Sequence, residues 1–129
     1  LFDRPLLAAL STRMPDGSAR TQPAWCRRDA GVVVLSTTME SREGRNLLAD
    51  PRATVLVVDP ADSSRWIEVR GDVELVTDGA IDVLDRLTQE YLGAPADDRH
   101  VAPDGLRTAE TRVAVRIRPV RVNCDAIHR

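Results

Sequence analysis

The stretch Leu35–Arg52 reads L-S-T-T-M-E-S-R-E-G-R-N-L-L-A-D-P-R. The apolar run Val32 to Leu35 ends in three hydroxyl residues, Ser36, Thr37 and Thr38. A short helix is expected next, capped by Ser41 and stopped before Pro51, with Arg42 and Arg45 one turn apart. A strand end, hydroxyls, free helix amides and two guanidiniums form a cradle for an anion, phosphate above all. The same residues also suit a polar connection with a solvated basic face.

Outward from this stretch, the chain reads mostly as short strands. Leu6 to Thr12 and Ala19 to Arg27 flank Met14-Pro15-Asp16-Gly17-Ser18, a turn in which Pro presets one φ and Gly accepts a positive one, so the two runs form a hairpin. On the second run Thr21, Pro23 and Trp25 share one face, with Arg20, Gln22, Ala24 and Cys26 on the other. Pro23 has no donor and predicts an edge or a bulge. Arg28 to Gly31 is the next turn. Val32 to Thr37 and Ala53 to Val58 are continuous apolar runs, expected to be buried on both faces, and a loop follows at Asp59 to Ser64.

Trp66 to Val76 alternates cleanly. Ile67, Val69, Gly71, Val73 and Leu75 are expected inward, Glu68, Arg70, Asp72 and Glu74 outward, and Gly71 marks a bulge or bend. Asp78 to Leu92 changes to helical spacing through Ile81, Leu84, Leu87, Thr88, Tyr91 and Leu92, with Asp78 as N-cap and Gly93 as C-cap. Residues 93 to 110 form a long connection. Arg112 to Arg118 alternates again with Val113, Val115 and Ile117 inward. After Pro119 the phase slips to Val120, Val122 and Cys124, which predicts two strands. Six or seven mostly antiparallel strands with one long excursion fit a closed or nearly closed β-barrel.

Bulk properties bound the function. At 129 residues the chain is expected to be one domain, 1–129, able to bury its own core. The net charge of -2 gives no pull toward nucleic acid or anionic membrane, and no apolar run approaches the roughly 20 residues that span a bilayer. The chain opens Leu1-Phe2-Asp3 without an initiator Met, so a trimmed start is expected; nothing in it resembles a signal peptide, and a cytoplasmic location is expected. All 18 basic residues are Arg, which excludes Schiff-base chemistry and a phosphate-loop lysine. Cys26 and Cys124 are expected to be free buried thiols, and His100 and His128 give no metal spacing. No G-x-G-x-x-G or G-x-S-x-G occurs, and the carboxylates read as solvated surface. No catalytic residue is identifiable, so any reactivity belongs to a bound cofactor. Pro23 and Trp25 could pack against an aromatic ring, and so could Trp66, although a core or interface position is the commoner reason for a Trp.

Several short motifs now stand in order. They are the Pro-Asp-Gly hairpin, Pro23-Ala24-Trp25, Leu35-Ser36-Thr37, Ser41-Arg42-Glu43-Gly44-Arg45-Asn46-Leu47 into Asp50-Pro51-Arg52, Trp66 to Gly71, Tyr91-Leu92-Gly93 and Val115 to Pro119. Together they resemble the pyridoxamine-phosphate-oxidase-like split β-barrel superfamily, and within it the flavin/deazaflavin oxidoreductases, above all the branch using coenzyme F420. The resemblance covers Leu6 to Val122. It implies a Greek-key split barrel, mainly β with flanking helices. It also implies a homodimer with two interface clefts, and F420, FMN or, in some members, haem or another tetrapyrrole as ligand. The implied chemistry is hydride transfer from reduced F420 to a small unsaturated acceptor, with FMN-dependent oxidoreduction and non-catalytic ligand binding as alternatives.

By the same resemblance, the cofactor phosphate would meet Ser36, Thr37, Thr38, Arg42, Arg45 and Asn46, and its ring would lie near Pro23 and Trp25. Relatives place Lys directly after the first Arg of the helix, where it contacts the phosphate; here that residue is Glu43, followed by Gly44. Glu43 is expected to repel phosphate unless it pairs with Arg42 or Arg45, and Gly44 to weaken the helix by roughly 1 kcal/mol.

Overall fold

A computed structural model describes residues 1–93 and 110–124. Most of the long connection expected at 93 to 110, with His100, and His128 lie outside the described residues. Seven strands run β1 (Ala8–Arg13), β2 (Ala19–Ala24), β3 (Arg27–Asp29), β4 (Val32–Thr38), β5 (Arg52–Val58), β6 (Trp66–Val76) and β7 (Arg112–Cys124). Helix α1 (Arg42–Ala49) follows β4, and α2 (Ala80–Leu92) follows β6. The strands form one sheet in the order β2-β1-β5-β6-β7-β4-β3, and each pairing is antiparallel. This is the split β-barrel that the motif order implied.

The core follows the alternation. Leu10 from β1, Val55 and Val57 from β5, Val69 from β6, Leu35 from β4, and Val115 and Ile117 from β7 meet inside, with Leu47 of α1 added. Each such side chain contributes about 1.5–3 kcal/mol on burial. Val33, Val34 and Leu35 are buried as a continuous run, as expected of a strand covered on both faces. The run Ala53 to Val58 departs from that expectation: Ala53, Val55 and Val57 are buried, while Leu56 is half-buried and Val58 exposed. Its outer side joins Leu7 and Pro23 in a shallow apolar groove rather than a second core.

Several boundaries also differ from expectation. The second strand does not run on to Arg27; it breaks at Trp25–Cys26, because the backbone N–H and C=O of Cys26 both bond to the Tyr91 hydroxyl, each at 3.0 Å, instead of to a strand. Arg27 to Asp29 then pairs with β4 through a tight turn in which Ala30 and Gly31 both have positive φ. Helix α2 is capped by Gly79 in a left-handed conformation and not by Asp78, since the chain turns one residue later. Ile81 and Leu92 are exposed, leaving Ala80, Leu84, Leu87 and Thr88 as its buried face; the Gly93 cap is as expected.

At Pro119 there is one strand with a bulge rather than two strands. Gly71 faces Pro119 while Arg70 faces Arg121, so Val120 is the extra residue, and it is 69% exposed. Gly71 is required here because a Cβ would overlap the Arg118 carbonyl. Cys26 is buried, as expected, whereas Cys124 is only half-buried. No helix among the described residues is long and apolar enough to cross a membrane.

Candidate active site

Helix α1 starts as its sequence asks. The Ser41 hydroxyl accepts the Gly44 amide at 3.0 Å and lies 2.7 Å from the Thr38 carbonyl. Gly44 is no weak point. A Cβ at Gly44 would collide with the Thr38 carbonyl oxygen, so glycine is what lets the helix lie on the end of β4. Leu47 and Asn46, at 1% and 2% exposure, anchor the inner side of the helix.

The first turn of α1 divides two hollows. One, of about 290 Å³, is the cleft: Gln22, Pro23, Ala24 and Trp25 form one side, and Ser36, Thr37, Glu43 and Arg112 line it with Leu10, Leu35, Leu84, Leu87 and Val115. The other, of about 410 Å³, is lined by Arg13, Met14, Pro15, Gly17, Arg42, Arg45, Asn46, Ala49 and Asp50. The eight expected site residues are thus not one cluster. Pro23, Trp25, Ser36 and Thr37 border the cleft, Arg42, Arg45 and Asn46 border the second hollow, and Thr38 is buried beneath the helix start at 8% exposure.

Their engagements differ as well. The Asn46 amide nitrogen donates to the Thr12 hydroxyl at 3.1 Å and contacts the Met14 sulfur at 3.4 Å, so it ties α1 to β1. Arg42 reaches Asn46 Oδ1 and Arg45 reaches the Ser41 carbonyl, both only at 3.4 Å. These long contacts leave strong donor capacity facing the second hollow. Trp25 stacks on Tyr91, centroids 5.2 Å apart and planes 14° apart, so one face of the indole is occupied within the chain. Trp66 opens β6 opposite Val58 and does not line the cleft.

Glu43 is the residue whose environment the sequence did not reveal. It pairs with neither Arg42 nor Arg45. Its carboxylate accepts from Thr37 Oγ1 at 3.0 Å, Gln22 Nε2 at 3.1 Å and Arg20 Nη1 at 3.2 Å. Burial pushes its carboxyl up, but its own backbone amide, Gln22, Thr37 and Arg20 together hold it below its ordinary value. The period-2 placement of Arg20 and Gln22 on one face of β2 was the available signal.

Burial pushes the Cys26 thiol up to about 11, against a hydrogen bond to Tyr91 that lowers it, and burial pushes the Tyr91 phenol up to about 12. Neither ionises near neutral pH, so this corner offers no thiolate or phenolate nucleophile. Among the described residues no group of His, Cys, Asp and Glu is placed to hold a metal ion.

The apolar wall from Leu10 to Val115 and the exposed part of Trp25 suit a flat ring, and Arg42 and Arg45 suit a phosphate. A phosphate-bearing planar cofactor thus finds its two kinds of contact in separate places, a ring wall in the cleft and guanidiniums across the first turn of α1, with Glu43 on the cleft side.

Residues 1–124 match the family described as pyridoxamine 5'-phosphate oxidase. A pyridoxine/pyridoxamine 5'-phosphate oxidase of Gluconobacter oxydans (strain 621H) is 32% identical over 112 residues, which cover 84% of this chain. The chain spans only 56% of that relative's length. Among solved structures, an F420 reductase superposes with a TM-score of 0.79 at 30% identity, covering 95% of this chain and 93% of its own. A conserved hypothetical protein of Mycobacterium tuberculosis superposes with a TM-score of 0.72 at 26% identity, covering 92% and 76% respectively. The chain belongs to the pyridoxamine 5'-phosphate oxidase family, a split-barrel family with flavin-type oxidoreductases among its members.

Proposed function

We propose that this protein is an F420-dependent oxidoreductase acting on a small unsaturated acceptor. The observation that carries this reading is the cleft itself: an apolar wall beside Trp25, flanked by a helix start with two lightly engaged guanidiniums, on a fold that matches an F420 reductase along nearly its whole length. Bound F420 would supply the hydride chemistry. The chain's residues bind and orient: Pro23 and Trp25 border the ring, with Ser36 and Thr37 lining the same cleft, while Arg42 and Arg45, across the first turn of α1, hold the phosphate end. Thr38 and Asn46 support that end from below, one buried under the helix start and the other bonded to β1.

FMN is the second reading, favoured by the 32% identity to a pyridoxine/pyridoxamine 5'-phosphate oxidase. In either case the active form is a homodimer. The apolar groove of Leu7, Pro23, Leu56 and Val58 is the face offered to the second copy. Side-by-side titration of the purified chain with F420, FMN and haem tests the proposal. Saturable binding of F420 in preference to the other two supports it; no F420 binding at high concentration overturns it.

A further inference from the structure

Glu43 lies where three separate segments aim donors at one point. Arg20 and Gln22 come from β2, Thr37 from the end of β4, and the carboxylate from the first turn of α1. Arg20 Nη1 also donates to Gln22 Oε1, which turns the amide nitrogen of Gln22 toward Glu43. Both carboxylate oxygens are engaged, Oε1 by the guanidinium and Oε2 by the amide and the hydroxyl, and the side chain is 17% exposed. A guanidinium, an amide and a hydroxyl converging in this way are the donors that ordinarily hold a ligand's phosphate or carboxylate.

We propose that Arg20, Gln22 and Thr37 form an anion site whose resident anion is Glu43. Glu43 thereby sets the charge of the ligand group admitted to this end of the cleft. While it is in place, a phosphate is refused here and directed to the Arg42 and Arg45 side of α1. The group admitted beside Glu43 is uncharged, a hydroxyl or amide that donates to the carboxylate's remaining lone pairs. Local charge explains the exclusion: Arg20 is already paired with Glu43, so a dianion arriving at this point would meet a carboxylate and a guanidinium that is already engaged. The inference rests on the reading of this hollow as the ligand cleft, and not on which cofactor occupies it.

The test is a titration of inorganic phosphate into the native chain and into Glu43→Gln, followed through backbone and Gln side-chain amide signals by NMR. In the native chain the Gln22 side-chain and Thr37 amide signals should stay fixed. In Glu43→Gln they should shift saturably, with affinity at least tenfold tighter than any response at the same signals in the native chain. Adding Arg20→Gln should abolish that gain. An equal response in both proteins, or none in a natively folded Glu43→Gln, overturns the proposal. Should Glu43→Gln lose the native spectrum, Glu43→Ser is read in the same way; loss of fold in both would make Glu43 structural only and overturn it. Because no cofactor enters the experiment, failed F420 binding and a failed anion site are separate results.

Discussion

The two sides of the first turn of α1 are made of neighbouring residues and face opposite chemistry. Toward the cleft, Glu43 is held by Arg20, Gln22 and Thr37. Toward the second hollow, Arg42 and Arg45 stand beside Arg13 with only long contacts of their own. Successive helical residues point about 100° apart, so Glu43 lies on the cleft side while Arg42 and Arg45, three residues apart, share the other. Local sequence proximity therefore overstated the cradle, and the strand behind Glu43 decided which donors it would meet.

Leu47, the buried anchor of α1 in the core, offers the largest way to break this contrast. Leu47→Ala should cost about 2–5 kcal/mol of stability, measured by urea unfolding, and should blur the two environments together by freeing the helix from the barrel. Arg42→Ala and Arg45→Ala address one side alone. Each should weaken a phosphate-bearing cofactor by about 1.5–3 kcal/mol in titration, and unchanged affinity in both would remove the phosphate from that side. Gly44→Ala tests how tightly the turn is seated. On an exposed helix this change would stabilise; here it should destabilise by about 1–3 kcal/mol through overpacking on the Thr38 carbonyl, and a gain in melting temperature would refute the close approach.

The smallest effect is the pH dependence of the acidic side. The folded-state carboxyl of Glu43 lies below its ordinary value of 4.5. Its contribution is therefore fully present above that value and is lost as pH falls through the depressed folded value. Native and Glu43→Gln chains should differ in urea midpoint at neutral pH and converge in acid; a difference that persists in acid would show that the charge is not what holds the turn.

Much of the fold was legible. Trp66 to Val76 appeared with its expected limits because strict alternation has one solution, and Pro23 sits on an edge strand as its missing donor required. The break at Trp25–Cys26 was not legible, since its cause is a tyrosine 65 residues away. Pro119 signalled irregularity correctly, but a bulge and a strand break look alike until the partner Gly71 is known. In the site, residue types were readable and their grouping was not. Gly44 looked like a helix defect because only the approach of Thr38 explains it, and Glu43 looked like a misplaced charge because its three partners are dispersed along the chain.

One phenol has a consequence for how this sheet ends. The Tyr91 hydroxyl lies 2.7 Å from the Leu6 carbonyl and 3.0 Å from both the amide and the carbonyl of Cys26. That is the point where the chain leaves one border strand, β2, and begins the other, β3. The last turn of α2 thus serves as a clasp at the seam of the barrel, and β2 carries a proline along its open border. Borders guarded in this way discourage a foreign strand from lengthening the sheet, which leaves the apolar outer surface around Leu56 and Val58 as the side better suited to meeting another molecule.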